Sequence, residues 1–454
     1  MLLFIYHIFI QQICEISLNM PIALDARQRK ASLRFEERLS RSIFGQLMKA
    51  MQHMDDRTFR RSYIHMQDAG QSRAFFVKFT EGVDDHGGPY RAAFETAIGE
   101  EVVELLDLFV PCDNALGNVG ENKDQVVINP SLSNQDECRP LYRQVGKLTG
   151  IACRHDILVA LSLPRLVWKP LAGEVLTGHD LKAVSLNSTK SLEDMALTIK
   201  YLSMSPDEQT RWCKDNSKLR DIISRYNHSN IEEVIDLVLQ AMSDFPCLDT
   251  KMQSMLVEAT KVNTGMNPLY STDIVLRLCD LLLCLRAHTH EVAISEFYEG
   301  LSASLPVILF PIFTHEELDS LFCGQPTLDI ATLKKATVYE DVSPSDAHIS
   351  QFWDAIELLT PSEQSKLINF CSGRTRLPSS ASDFPMNFKL TAPLREYENP
   401  DEVLPHSQTC FFSLSLPKYS STEVTLEKLR YAISNAELMD ADFMVRNAAG
   451  WENI

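Results

Sequence analysis

The chain has 454 residues, about three domains' worth at roughly 150 residues each, so a composite fold is expected. Hydrophobic residues make up 45% and charged residues 23%, which excludes a mainly disordered chain; 17 glycines and 21 prolines exclude collagen-like material. A formal net charge of −18 excludes the basic footprint that a general nucleic-acid binder needs, so no nucleic-acid partner is expected.

The 11 cysteines are sparse, scattered and odd in number, which argues against a disulfide scaffold. Small buried thiols in a reducing setting fit better, with the cytoplasm the expected location and the nucleus the alternative. None forms a C-x-x-C pair; the closest, Cys279 and Cys284, lie in a Leu-rich helical run, so no metal site is expected. At the N-terminus, Leu2 to Ile10 is apolar, but it lacks a basic leader and is interrupted by Gln11, Gln12 and Glu15. Residues 1–30 therefore read as an apolar segment of open status, a buried helix or the start of a fragment rather than a signal peptide. No other stretch approaches membrane-spanning length.

From Ala31 to Met54, the spacing of Phe35, Leu39, Ile43, Leu47 and Met51 predicts one amphipathic helix. Ten Lys or Arg against five Asp or Glu between Asp25 and Arg61 make it locally basic, and a solvated outer face is the expectation. Ala74 to Phe79 reads as a buried strand, Asp84 to Pro89 as a tight turn, and Tyr90 to Leu108 as a helix. Residues 113–140 are turn-rich around a short Gln125–Ile128 strand. Leu141 to Leu161 reads as a helix with Val145, Leu148, Ile151 and Ala152 on one face. Residues 185–270, 276–285 and 294–305 are helical in pattern.

Lys335 to Ser345 is polar, contains Pro344 and separates two apolar-patterned blocks, as a linker should. Beyond it lies a small mixed α/β domain of about 110 residues. Its expected elements begin with a helix on Ile349, Phe352, Trp353, Ile356 and Leu359, and a second opened by the capping box Thr360-Pro361-Ser362-Glu363 and stopped at Gly373. Strands are expected at Asn387–Thr391 and Phe411–Leu416. A last helix, bearing Leu426, Leu429 and Ile433, is led by the capping box Ser420-Ser421-Thr422-Glu423.

The chain lacks a phosphate-binding G-x-x-x-x-G-K-[ST] loop, a G-x-G-x-x-G turn, a G-x-S-x-G elbow and an H-E-x-x-H helix. The remaining candidate is Cys410, in Leu404-Pro405-His406-Ser407-Gln408-Thr409-Cys410-Phe411-Phe412, where a polar loop enters an apolar strand. That placement lets a thiol be exposed while its neighbours are anchored. No Lys or Arg is adjacent to stabilise a thiolate, but exchange between two thiols is nearly balanced and needs little stabilisation. On spacing alone a structural cysteine is the favoured reading, and a nucleophile the alternative.

The segment LPHSQTCFFSLSLPKYSSTEVTLEKLRYAI resembles the active-site segment of HECT-type ubiquitin ligases, in which L-P-x-x-x-T-C-F is followed by L-x-L-P-x-Y and a helix. Further stretches agree in order: FVKFTEGVDDHGGPYR, LYRQVGKLTGIACRHDILVALSLPRLVWKPLAG, FPIFTHEELDSLFCGQPTLDIATLKKATVY and SGRTRLP. CFF and GRTRLP are most similar to the HERC-type members. The resemblance implies an α+β, bilobal fold. It would comprise a large, mostly helical N-terminal lobe over residues 31–334, a flexible hinge at 335–345, and a small α/β C-terminal lobe over 346–454. It implies three partners, ubiquitin, a ubiquitin-conjugating enzyme and a protein substrate, with no cofactor and no metal. Cys410 would accept ubiquitin as a thioester and pass it to a substrate lysine, with Thr409 orienting the loop. Many members carry His two residues before the cysteine; here Gln408 stands there and His406 stands four before. Residues 185–275, where the family binds the conjugating enzyme, match poorly. Trp451 stands fourth from the end, where the family usually has a Phe that docks the tail. A HECT-like interaction module without transfer activity and a cysteine hydrolase are the alternatives; the second lacks a Cys-His-Asn order around Cys410.

Overall fold

A computed structural model describes residues 14–64, 72–80, 88–133, 135–202, 204–214, 222, 279, 282–283, 290–324, 328–372, 377–378, 380–384, 386–393, 395, 397–408 and 411–447. Its helices and short sheets give an α+β fold. Two compact units are formed: Met1–Asp107 with Gln144–Ser162 and Glu299–Ile454, and Leu108–Arg143 with Leu163–Tyr298. No helix among the described residues is long and apolar enough to cross a membrane.

In the first unit, the segment read as an apolar N-terminus contains a strand, Glu15–Leu18, and a helix, Met20–Gln28. The strand pairs in parallel with Phe76–Phe79, and Ile16, Leu18, Val77 and Phe79 point into the core. Glu15-Ile16-Ser17-Leu18 alternates at the minimum length for a strand signal, and its pairing partner lies far along the chain. The helix expected over Ala31–Met54 is two helices, Phe35–Arg41 and Ile43–Met51. Ser42 breaks it: its backbone is extended, and its Oγ accepts from the Gly45 N–H at 2.9 Å. The Glu101 carboxylate also reaches that helix start, accepting from the Ile43 and Phe44 N–H groups at 2.9 and 2.8 Å. Nor is the basic stripe simply a solvated face. Lys30 and Arg38 converge on Asp107 at 2.7 and 2.8 Å, Arg41 reaches Asp25 at 3.1 Å, and Arg27 pairs with Glu100. Glu100 and Asp107 lie far outside the counted stretch, so local charge counting could find only the Asp25 partner.

The helix Arg139–Arg154 stops short of the expected Leu161. Asp156 turns left-handed at φ 57°, and the Ile157 N–H bonds back to the Ala152 carbonyl at 2.9 Å. At Gly150 this helix comes close to the chain after Glu291–Ser302; a Cβ there would meet Ser304 Oγ at 2.5 Å. The expected turn at Asp84–Pro89 lies mostly outside the described residues. Beyond it, Gly88–Phe94, a wider π-turn over Glu95–Glu101 and Val102–Glu104 fill most of the helix expected over Tyr90–Leu108.

In the second unit, Phe109–Pro111 pairs antiparallel with Val126–Ile128. Helices Leu186–Leu202 and Pro206–Lys214 occupy the start of the long helical stretch; nearly all of the remainder to residue 285 lies outside the described residues. Asp180, 1% exposed, accepts from Lys169 Nζ at 2.9 Å and from the Thr177 N–H at 2.8 Å, tying Arg165–Leu171 to the next short helix.

The C-terminal part of the first unit is built on a four-stranded sheet in the order Thr337–Glu340, Phe388–Thr391, Ser413–Ser415, His406–Gln408. The first three strands run parallel and the last antiparallel. Helices Ala347–Glu357, Pro361–Ser372 and Thr422–Asn447 close the core through Ile349, Phe352, Ile356, Leu367, Leu429 and Ile433. This corrects the reading of Lys335–Ser345 as a linker with few contacts. Its residues Thr337–Glu340 are an edge strand paired with Phe388–Thr391, and Leu333 before them already lies in this core. An edge strand is half-exposed, so its sequence is polar enough to pass for a connector. The final helix runs past Ile433, the last apolar position of its expected stripe, to Asn447.

Candidate functional site

The candidate site is the hairpin formed by His406–Gln408 and Ser413–Ser415. Gln408 pairs with Ser413, Ser407 with Leu414 and His406 with Ser415, so residues 409–412 join the two strands. Thr409 and Cys410 lie outside the described residues, as does Trp451. What holds their neighbours is well defined. Ser413–Ser415 is an inner strand, also paired with Phe388–Thr391, and Leu414 and Leu416 are fully buried. His406–Gln408 is the outer strand. Residues two apart share a face of a strand, so His406 and Gln408 present their exposed side chains on the same side.

Phe411 and Phe412 divide sharply: Phe411 is 49% exposed and Phe412 only 5%. Phe412 has φ 46°, a left-handed conformation costing a bulky L-residue about 1–2 kcal/mol. It is held there by the Phe388 ring at 5.0 Å, by the stacked Phe384 ring at 6.5 Å, and by its carbonyl, which accepts from the Lys389 N–H at 2.9 Å.

A second set of contacts closes the hairpin's base. The Tyr419 hydroxyl donates to the Val403 carbonyl at 2.8 Å, and burial pushes its phenol well above the usual range. Ser420 donates to Asp401 twice, from N–H at 2.9 Å and from Oγ at 2.6 Å. Those hydrogen bonds hold the Asp401 carboxyl below its usual range. The capping box expected to open at Ser420 is therefore not formed. Ser421 caps the last helix, accepting from the Val424 N–H at 3.3 Å, while Ser420 belongs to the hairpin.

Other cysteines are poor competitors for chemistry. Among the described residues only Cys14 is classed as exposed. Burial pushes the Cys153 thiol up to about 12, and raises those of Cys138 and Cys371 as well. Cys112 and Cys323 are buried, with each Sγ donating to a backbone carbonyl, that of Asn122 at 3.1 Å and of Leu161 at 3.2 Å. No group of three or more His, Cys, Asp or Glu among the described residues is placed to hold a metal ion. The sequence reading gave no site role to Phe412, Asp401, Tyr419 or Ser420; Phe412 and Tyr419 stood in the quoted motifs and Ser420 in the expected capping box, while Asp401 carried no signal.

The HECT-domain (ubiquitin-transferase) family model matches residues 104–442, and the chain belongs to this family. It is 29% identical over 410 residues to the mouse E3 ubiquitin-protein ligase HERC2, covering 90% of this chain and 8% of that protein. It is 30% identical over 377 residues to the human HERC2, covering 83% of this chain and 7% of the relative. The human probable E3 ubiquitin-protein ligase HECTD4 is 27% identical over 394 residues, 80% of this chain and 9% of its own length. The chain thus spans less than a tenth of each of these relatives.

Proposed function

We propose that this chain is the catalytic part of a ubiquitin ligase, with Cys410 as the acceptor of ubiquitin from a conjugating enzyme. The observation that carries this reading is the L-P-x-x-x-T-C-F match, falling on a hairpin whose inner strand is buried and whose outer side chains are exposed. The Cys410 thiolate attacks the carbonyl of the conjugating enzyme's thioester. A new C–S bond forms, the old one breaks, and the conjugating enzyme leaves as its thiolate. A substrate lysine amine then attacks the Cys410 thioester; the C–N bond forms, the C–S bond breaks, and the amine's proton is released. The first step exchanges like for like and the second forms a more stable amide, so neither needs a metal or an oxidant.

Within this reading, Thr409 orients the loop, and the exposed His406 and Gln408 face the partners. The conjugating enzyme docks in the large lobe, on the divergent 185–275 region. One thiol must meet a donor and then an acceptor, which requires the C-terminal lobe to move relative to the large lobe. Since Leu333 and Thr337–Glu340 already belong to the C-terminal core, the hinge that this motion needs lies before Leu333 rather than in the expected 335–345 segment.

A non-reducing gel tests the proposal. The wild-type chain incubated with a charged conjugating enzyme forms a thiol-sensitive ubiquitin adduct; Cys410→Ala abolishes it, and Cys410→Ser converts it to a thiol-resistant ester. A thiol-sensitive adduct on Cys410→Ala would move the acceptor to another cysteine. No adduct on wild type would favour an interaction module, and free ubiquitin released from the donor would favour a hydrolase.

A further inference from the structure

We propose that the 3₁₀ turn Val307–Ile312, with Phe313 after it, is a self-association surface: an uncharged apolar patch on which a second copy of this chain docks. The pairing does not depend on whether Cys410 accepts ubiquitin.

The geometry of the turn explains why these side chains lie outside. A 3₁₀ helix has about three residues per turn, so residues three apart fall on one line along it. Phe310 marks the inner line: it is buried, and its ring meets the buried Phe322 ring at 5.9 Å. The other two lines, Leu309 with Ile312 and Ile308 with Pro311, are left facing out. Ile308 is 82% exposed, Ile312 74%, Leu309 49% and Phe313 37%. The turn is also held in shape. The Leu309 N–H donates to the Pro306 carbonyl at 3.0 Å and the Phe313 N–H to the Phe310 carbonyl at 2.9 Å.

Single exposed apolar side chains are ordinary, and Leu116, Val175 and Leu358 stand singly in the sequence. Here four large ones fall within six residues. Together they present roughly 500 Å² of apolar surface, near the top of the range for the largest such patch on a monomer. A stable pair buries about 800 Å² on each partner. The exposed Pro306, Pro311 and Thr314 flank the patch and extend it towards that area.

Its chemistry selects a copy of itself. Between Glu299 and Glu316 there is no Asp, Glu, Lys or Arg. A surface for a partner of opposite charge carries charges that steer and select that partner, and this one carries none. A wholly apolar centre is the composition of homodimer interfaces. Pairing about a two-fold axis sets patch on patch, buries no charge and leaves no second face open. The carboxylates beyond its edge are engaged locally: Glu317 accepts from the Thr314 N–H at 2.8 Å, and Glu316 reaches His315 Nε2 at 3.0 Å. Each copy nonetheless carries a net charge of −18, so the pair forms against long-range repulsion. Salt screens that repulsion and should strengthen the pair, the reverse of its effect on an interface made of ion pairs.

Sedimentation velocity of the full chain tests this, over about a hundredfold range of concentration and at low and high salt. Reductant is present so that the exposed Cys14 cannot link copies. The wild type should move from 51.4 kDa towards twice that mass as concentration rises, and should do so at lower concentration in high salt. Ile308→Asp and Ile312→Asp each place a charge in the centre of the patch and should raise the dissociation constant about tenfold or more, with thermal midpoints unchanged. Ile308→Val should pair as the wild type does. A wild type that stays at 51.4 kDa throughout overturns the proposal and leaves the patch to another occupant. Pairing that weakens with salt, or Asp variants that pair as tightly as the wild type, overturns it too. Should an Asp variant melt early, Ile308→Ser and Ile312→Ser decide, and wild-type pairing by both overturns it.

Discussion

At Glu101, burial is the largest influence and pushes the carboxyl up to about 7, against the opposing pull of the Ile43 and Phe44 N–H groups and the Arg27 charge. The folded state therefore holds a proton that the unfolded chain releases near its ordinary value of 4.5. Where the folded state binds more protons, stability falls as pH rises, so this contribution is fully present below about 4.5 and lost by about 7. The whole swing is on the order of 3 kcal/mol. Glu101→Gln cannot ionise, and its urea-unfolding free energy should lack this part of the pH slope between about 4.5 and 7. Parallel slopes for the two proteins would show that Glu101 ionises in the folded state as freely as in the unfolded chain.

Among the elements, two of the short motifs that mark the family explain each other in space. Gly324 ends the helix His315–Cys323 with φ 67°, and a Cβ there would lie 2.7 Å from both Leu158 Cδ1 and the Leu377 carbonyl oxygen. Cys-Gly at 323–324 and Leu-Pro at 377–378 are thus two sides of one close contact. Gly324→Ala meets backbone strain and overlap together and should destabilise the fold by about 2–3 kcal/mol, read as a lower thermal midpoint. A midpoint equal to wild type would mean that neighbours yield. The bonds at the hairpin base divide differently. Asp401 is half-buried and Ser420 exposed, and their hydrogen bonds serve local geometry, whereas the buried Tyr419 also packs in the core.

Over the whole molecule, the tail is where the functional proposal reaches furthest. A large aromatic at position 451, if docked as the family's Phe is, would bury enough apolar surface to contribute about 2 kcal/mol to one arrangement of the lobes, a shift of more than tenfold. Trp451→Ala should accordingly leave loading of Cys410 intact and slow discharge to lysine in a single-turnover chase; equal discharge rates would return the tail to a frayed end. The C-terminal α/β part was legible in the sequence because its signals are local: Pro361 after Thr360, and alternation from Phe388 to Thr391. Glu15–Leu18 and Phe109–Pro111 were not, because short strands are specified by partners such as Phe76–Phe79 and Val126–Ile128, far away in sequence. The cysteine was legible only by resemblance. Its frame was not legible at all, since Phe412's angle and Asp401's partner depend on residues up to about two dozen positions away.

The strand order around the hairpin has a consequence for how the protein is made. Thr337–Glu340, Phe388–Thr391 and Ser413–Ser415 are parallel neighbours separated by long stretches of chain, and parallel pairs close slowly because their loops must be ordered first. The helix that seals their core through Leu429 and Ile433 is translated after all of them. During synthesis, the segment bearing the cysteine therefore leaves the ribosome before the scaffold that frames it is complete. For that interval the chain carries the cysteine without the completed core, which closes only when Thr422–Ile433 docks.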